Sequence, residues 1–464
     1  MNASPTHLRR ALLWRIHLWA AVIASPFLLA ACITGLIYVC TPTIERIQHG
    51  HLDTVAVPPD ATAAQSKPSL DAAVAAAWAA APQGWKLYGV MPAFESHQSV
   101  RVAFMPPDRG ERPQGSGHGH SHHAGTAKPA ASGAGGAFLR PLFGIPARAS
   151  VVYVNPYTTE VLGTLPESDR FRVWARKLHS QWQQGDGWRW LIELAASWTL
   201  VMLISGIFLW WPRLQVSRGV NPRAQSGRLL WRQWHIWVGL SLSMISAAIL
   251  ITGLTWSQYA GDQIKWLRDA AGQAPPRIPA SIRSQPMQGD TPILSWQAAW
   301  DSVQRHAPPV AAIIIAPQGA QGVWRAQQMD TRQPTARFDI LLDAYTGDAL
   351  YRSGWAEQTA FGKATAVGIP FHRGELGIWN QILLWVFGLG LIFSTLSGWV
   401  MVWLRYRAGR SFWPPLPVGA WRSTCLWAWV AGMLGAVLMP LWGVSLLVPV
   451  VVEFVVHHRH AVSS

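Results

Sequence analysis

Four apolar stretches, near residues 16–39, 190–211, 236–256 and 381–404, run without a break for roughly 20 residues or more. Each is long enough for one helix to cross the ~30 Å hydrocarbon core of a bilayer. A chain so patterned is expected to fold as an α-helical integral membrane bundle, because inside lipid a backbone must satisfy its own polar groups and a helix does so within one segment. A fifth apolar region, 424–456, is too long for one ordinary crossing and carries Pro440 and Gly443 near its middle. It reads either as a tight helical hairpin or as one long kinked helix.

Basic residues orient these spans. Arg9, Arg10 and Arg15 precede the first; Arg213, Arg218, Arg223, Arg228 and Arg232 lie between the second and third; Arg405, Arg407, Arg410 and Arg422 follow the fourth, with no Asp or Glu among them. Short arginine-rich segments of this kind stay on the cytoplasmic side. The N-terminus (1–15) and the 212–232 loop are therefore expected in the cytoplasm, and the long connections 41–189 and 257–375 outside, in the periplasm of a bacterial inner (cytoplasmic) membrane. The formal charge of +15 follows from this topology and gives no reason to invoke nucleic acid. Most of the 29 tryptophans flank spans, where aromatic belts meet the lipid headgroups; Trp182, Trp188 and Trp190 belong to that belt or line a site beside His179.

Leu29-Ala30-Ala31-Cys32 resembles a lipoprotein cleavage box behind a basic start, and cleavage there would remove His17. The apolar run continues through Val39 and has a copy in the third span, so a retained helix is expected. Cys32, Cys40 and Cys425 form no CxxC pair and imply neither a disulfide framework nor a zinc finger.

The spans repeat. His17 precedes Thr34-Gly35 by 17 and 18 positions, and His235 precedes Thr252-Gly253 by the same 17 and 18. His179 precedes Ser205-Gly206 by 26 and 27, and His372 precedes Ser397-Gly398 by 25 and 26. The chain reads as an internal duplication, each half made of helix, external domain and helix. Since 18 residues are about five turns, each first histidine shares a helix face with its glycine, and the small Ala21 and Gly239 four positions on leave room for a flat group or a close helix. His17 and His235 begin helices entering from inside; His179 and His372 begin helices entering from outside. An inner and an outer histidine pair result, and facing imidazoles from different helices suit a haem iron. Two haems b at different depths would make a transmembrane electron path; the bland alternative is hydrogen bonding across the bundle.

Outside the spans, a helix opening at Ser69-Leu70-Asp71 is followed by strand-like WKLYGVM, SVRVAFM and VVYVNP. Residues 294–306 are helical in pattern, followed by AAIIIAP, GVWRAQQM and FDILLDAYTGDALY. Each region is expected to form a small α+β domain. An insertion at 106–137, rich in Gly, Ser, Ala and Pro, carries His118, His120, His122 and His123. Histidines so spaced can capture Cu²⁺, Ni²⁺ or Zn²⁺, or reflect low-complexity drift; His457, His458 and His460 pose the same choice.

These residues resemble bacterial iron-regulated membrane proteins with PepSY domains and PepSY-associated transmembrane helices. The resemblance covers nearly the whole chain. It rests on His17-Leu18-Trp19 with a later Thr-Gly, on Glu193-Leu194-Ala195-Ala196-Ser197-Trp198 leading to Trp210-Trp211-Pro212-Arg213, on His372 through Trp379-Asn380-Gln381 to Ser397-Gly398, and on the strand and turn Asp343 to Leu350. It implies periplasmic PepSY-like domains, haem held by membrane histidines and reduction of ferric siderophores. All four histidine positions are filled. The ending Val402-Trp403-Leu404-Arg405 lacks a second Trp usual in the family, and the His-rich insertion is a larger departure.

The expected function is thus a haem-b electron-transfer protein reducing a periplasmic ferric siderophore or other metal chelate. No nucleotide-binding fingerprint sits between a strand and a helix, and 212–232 is too short for a dinucleotide domain, so electrons are expected from quinol or a separate donor. The alternatives are a non-enzymatic scaffold whose external domains bind a partner, and a metal transporter. Glu193 and Glu453, the acids near apolar spans, are thin provision for moving divalent cations.

Overall fold

The computed structural model describes residues 5–59, 68–107, 144–214, 227–286, 291–413, 415–417 and 419–462. In chain order, α1 (Pro5–Val39), α2 (Thr41–Asp53) and α3 (Leu70–Ala80) lead to β1 (Lys86–Met91), β2 (Val100–Met105), β3 (Ser150–Val154) and β4 (Val161–Pro166). Then come α4 (Phe171–Gln181), α5 (Trp190–Leu214), α6 (Gly227–Ser241), α7 (Ser243–Leu254), α8 (Tyr259–Ala270) and α9 (Trp296–His306). Strands β5 (Ala312–Ile315), β6 (Val323–Gln328), β7 (Phe338–Asp343) and β8 (Ala349–Gly354) precede α10 (Ala360–Arg373), α11 (Ile378–Arg407), α12 (Leu426–Leu438), α13 (Pro440–Ser445) and α14 (Leu447–Val462). The chain divides into a helical unit (1–41, 175–274 and 364–464) and a sheet unit (42–174 and 275–363).

In the helical unit, three helical stretches are long and apolar enough to cross a membrane, and two further bent pairs meet the same test. The sequence reading took 236–256 as one helix; the structure breaks it at Leu242, where α6 and α7 meet at 58°. The cause is local. Ser241 Oγ donates to the Trp237 carbonyl and Ser243 Oγ to that of Leu240, and serines that hydrogen-bond back onto the preceding turn bend helices. In the last apolar region the chain turns by 116° between α12 and the segment from Pro440. Pro440 has no N–H to continue the ladder, and Gly443 lies so close to Ala436 that an added Cβ would approach its Cβ to 3.0 Å. This corner is far sharper than a kink within one helix.

The sheet unit corrects the expectation of two separate small domains. All eight strands form one antiparallel sheet in the order β4-β3-β2-β1-β5-β6-β7-β8, the two regions meeting where β1 pairs with β5 at Val90 and Ile314. Gly89 makes the junction possible, because a Cβ there would fall 2.9 Å from Ile313 Cδ1. Helices α3 and α9 cover one face over a shared core that includes Val74, Ala77, Val102, Val303, Ile314 and Ile340. Two separate four-stranded sheets would each bury only one helix; fused, they bury both over one continuous apolar layer.

The repeat is visible in atomic detail. Ser69 caps α3 and Ser295 caps α9. Two residues into each helix, Asp71 accepts from the backbone N–H of Trp296 (2.8 Å) and Gln297 (3.2 Å), while Gln297 Oε1 accepts from Leu70 N–H at 2.9 Å. Each helix thus caps the other's N-terminus. The turns after β3 and β7 also match: Asn155 and Asp343 each accept from the N–H two residues on at 2.9 Å, and Tyr157 and Tyr345 hydroxyls donate to Ser96 and Ala320 carbonyls at 2.7 and 2.8 Å. Thr159 (φ 59°) stands where the second copy has Gly347 (φ 77°).

Arg325 on β6 is fully buried and grips Asp339 on β7 through two hydrogen bonds of 3.0 and 2.6 Å. Burial lifts the Asp339 carboxyl above the usual aspartate range, against the pull of Arg325. A raised carboxyl binds its proton more readily folded than unfolded, so its contribution to stability is largest at low pH and fades as pH rises from about 4 toward the raised value. Arg325→Gln strands the carboxylate and should cost about 3–5 kcal/mol at neutral pH. Thermal unfolding of the full-length variant at pH 7 and pH 5 checks this, the penalty shrinking at the lower pH as Asp339 takes up its proton.

Candidate functional site

The helical unit brings the four sequence-identified histidines into two pairs. His17 on α1 and His235 on α6 have ring centroids 6.4 Å apart and ring planes at 86°. His179 and His372 lie within electrostatic reach of each other. The sequence reading placed the latter two at the starts of long spans; they sit instead on α4 and α10, separate helices that precede α5 and α11. Along α1, His17 and the seat of His179, Gly35, are 18 residues apart, about 27 Å of helix.

Each ring is held in one way, four times over. His17 Nδ1 lies 3.0 Å from Ser205 Oγ, His179 Nδ1 3.0 Å from Thr34 Oγ1, His235 Nδ1 3.0 Å from Ser397 Oγ and His372 Nδ1 3.1 Å from Thr252 Oγ1. The carbonyl three residues before each hydroxyl takes part too. His235 Nδ1 is 2.9 Å from the Ser394 oxygen and His372 Nδ1 3.0 Å from that of Ile249, and His17 and His179 hydrogen-bond the backbone of Met202 and Ala31. A carbonyl only accepts, so Nδ1 carries the proton. In the neutral ring Nε2 then holds the lone pair, and among the described residues no hydrogen bond engages it. An imidazole fixed through Nδ1–H with Nε2 open is a prepared metal ligand.

The glycine beside each hydroxyl completes the seat. A Cβ added to Gly35, Gly206 or Gly253 would stand 3.3, 3.1 or 3.2 Å from Cε1 of His179, His17 or His372, and one on Gly398 3.7 Å from that of His235. The sequence reading set each first histidine against the glycine of its own helix. The structure crosses the partners: His17 of α1 rests on Ser205-Gly206 of α5 and His179 of α4 on Thr34-Gly35 of α1, as His235 of α6 rests on Ser397-Gly398 of α11 and His372 of α10 on Thr252-Gly253 of α7. Gly239, taken from the sequence as making room near His235, has nothing within 4 Å of its would-be Cβ. The four Ser/Thr-Gly dipeptides were the signal that could have found these seats.

An apolar groove of about 490 Å³ is lined by Leu230, Trp231, Trp234 and Val238 of α6, the helix that carries His235, and by Phe393 of α11. Near His179, Trp182 stacks obliquely on Phe27 at 6.0 Å, while Trp188 and Trp190 are exposed. Trp182 and Gln183 both adopt positive φ, 50° and 61°, a costly conformation for bulky residues that ends α4 sharply after His179.

The acids near the apolar helices are committed elsewhere. Glu193, buried, accepts from the backbone N–H of Tyr259 and Ala260 at 2.8 Å each and so caps α8. Glu453 binds Arg15 at 2.5 and 2.9 Å and Trp19 Nε1 at 2.7 Å. No group of three or more His, Cys, Asp or Glu placed to hold a metal ion occurs among the described residues. The candidate metal ligands His118, His120, His122 and His123 lie outside those residues.

No curated protein matches the chain. The pattern of the PepSY-associated TM region family runs along residues 14–405, from just before His17 to beyond Gly398, taking in all four histidines with their hydroxyl and glycine seats, and the chain belongs to that family.

Proposed function

We propose that this membrane protein transfers electrons through two b-type haems, one held by His17 and His235 and the other by His179 and His372, to reduce ferric chelates such as siderophores on the periplasmic side of a bacterial inner membrane. The observation that carries this reading is the spacing of the inner rings. A first-row metal binds an imidazole nitrogen at about 2.0 Å, and the ring centroid lies about 1.1 Å behind that nitrogen. Two rings on opposite sides of one ion therefore sit about 6.2 Å apart, against the 6.4 Å observed. Four glycine gaps and four open Nε2 atoms fit the same group.

When bound, such a group supplies reversible one-electron iron chemistry. The rest is done by the chain. Ser205, Ser397, Thr34 and Thr252, with the carbonyls beside them, fix the proton on Nδ1 and aim Nε2; the glycines let each ring lie against a neighbouring helix. Two imidazoles at each site would saturate a bound haem iron and favour electron transfer over oxygen binding. The donor is a membrane quinol or a separate protein, since no nucleotide-binding fold occurs among the described residues. Reduction loosens iron from hard oxygen chelators because Fe²⁺ is softer and less charged. A transporter finds little support: Glu193 and Glu453 serve as cap and ion-pair partner.

Reduced-minus-oxidised absorption spectra and haem quantification of the purified protein test the reading. Two haems per chain are expected, His17→Ala and His235→Ala losing one and His179→Ala and His372→Ala the other. A colourless protein from cells with ample haem would sink it and leave a non-enzymatic scaffold in front. Ser205→Ala should keep the fold and weaken retention of the inner haem by about 10-fold or more, the usual scale for a partner that orients a metal ligand. Gly253→Val should remove the outer haem alone, as judged by haem count and the surviving inner-site spectrum.

A further inference from the structure

One cluster of charges has no counter-charge. Arg232 lies in the field of Arg228 and Arg10, and Arg405 in that of Arg228 and Arg410. Among the described residues no Asp or Glu pairs with any of the five. Among the described residues, the arginines that are buried all face acids. Arg15, Arg170 and Arg325, each less than a tenth exposed, hold Glu453, Glu45 with Asp53, and Asp339. Arg228 and Arg232 are half-buried and Arg10 and Arg410 exposed; the Nε–H groups of Arg228 and Arg232, like that of Arg170, are shielded with no acceptor. Like charges gathered at close range with unmet donors lose stability unless an anion joins them.

Their position says which anion. Arg10 precedes His17 by 7 residues and Arg228 precedes His235 by 7, two turns, so each lies on its histidine's face about 10 Å along the helix. Arg232 is one turn from His235. A haem carries two carboxylates on one edge, and a guanidinium matches a carboxylate with paired hydrogen bonds.

We infer that Arg10, Arg228 and Arg232, backed by Arg405 and Arg410, form an anion site that holds the two carboxylates of the haem lying between His17 and His235. This rests on the haem reading above. The competing occupant is the phosphate of an anionic lipid, which arginines at a membrane surface commonly meet. Lipid contact explains outward-facing arginines; it does not explain buried Nε–H groups on the histidine face.

The test follows haem loss from full-length, haem-loaded protein to a scavenging protein, in vesicles with and without anionic phospholipid. Arg228→Gln and Arg232→Gln should release the inner haem about ten-fold faster, the scale of one charge-assisted hydrogen bond. Arg232→Lys should fall between, and Arg422→Gln should match the wild type. Retention of the outer haem in every variant shows that the bundle is intact. Wild-type protein loaded with haem dimethyl ester, whose carboxylates are blocked, should lose the inner haem equally fast without any substitution. Unchanged haem loss in the variants, coupled to weaker association with anionic vesicles, would assign the cluster to lipid and overturn the inference while leaving the haem reading standing. Wild-type protein that takes up no haem overturns both.

Discussion

A carbonyl oxygen can accept a hydrogen bond but never give one, and that asymmetry governs all four histidines. Each Nδ1 meets a helix carbonyl and a hydroxyl whose own proton goes back to the preceding turn, as for Thr34 to Ala30 at 2.7 Å and Thr252 to Ala248 at 2.8 Å. The ring has one protonation state that satisfies both contacts, and it leaves Nε2 bare. Because the carbonyl belongs to a neighbouring helix, the same bond that fixes the tautomer also fixes the register between helices. Sliding α1 along α5 by one residue would separate His17 from Ser205 and His179 from Thr34 together. Helix packing and the orientation of the imidazoles are one constraint here, which accounts for the recurrence of hydroxyl and glycine as a unit.

Much of this architecture is legible in the residues. Apolar run length is a local property, so the long spans can be read directly, and the short β-branched and aromatic runs in VRVAFM, SVVYV and FDILLD mark strands without reference to their partners. The histidine pairs follow from counting which helices enter from which side. The bend at Leu242 had a signal too, in Ser241 and Ser243, which is weak because serines in helices more often face outward.

Other features depend on contacts between distant segments and leave little local trace. Whether β1 pairs with β5 depends on Gly89 meeting Ile313, more than 200 residues away, and a lone glycine in a strand has several ordinary meanings. The crossing of seats, with α5 holding His17 and α1 holding His179 of α4, has the same origin. The distance from His17 to Thr34-Gly35 is a property of one helix, whereas the distance from His17 to Ser205 exists only once two antiparallel helices are laid together. Helices α4 and α10 are short and mixed in character, so they read from the sequence as approaches to the spans and not as elements of their own.

The exchange of seats also bears on what half of this chain could be. The first half supplies His17 and His179 with the seats that hold them, and the second supplies His235 and His372 with theirs. Every pair takes one ring from each half, and four strands of the sheet likewise come from each. A half-length polypeptide would thus carry two single histidines and an unpaired sheet edge at β1 or β5, and association of two copies in the manner of the two halves would complete both. Joining the halves in one chain frees the two sides of each site to differ, as they already do where Arg172 and Arg176 precede His179 by 7 and 3 residues while Thr365 and Ile369 stand at those offsets before His372.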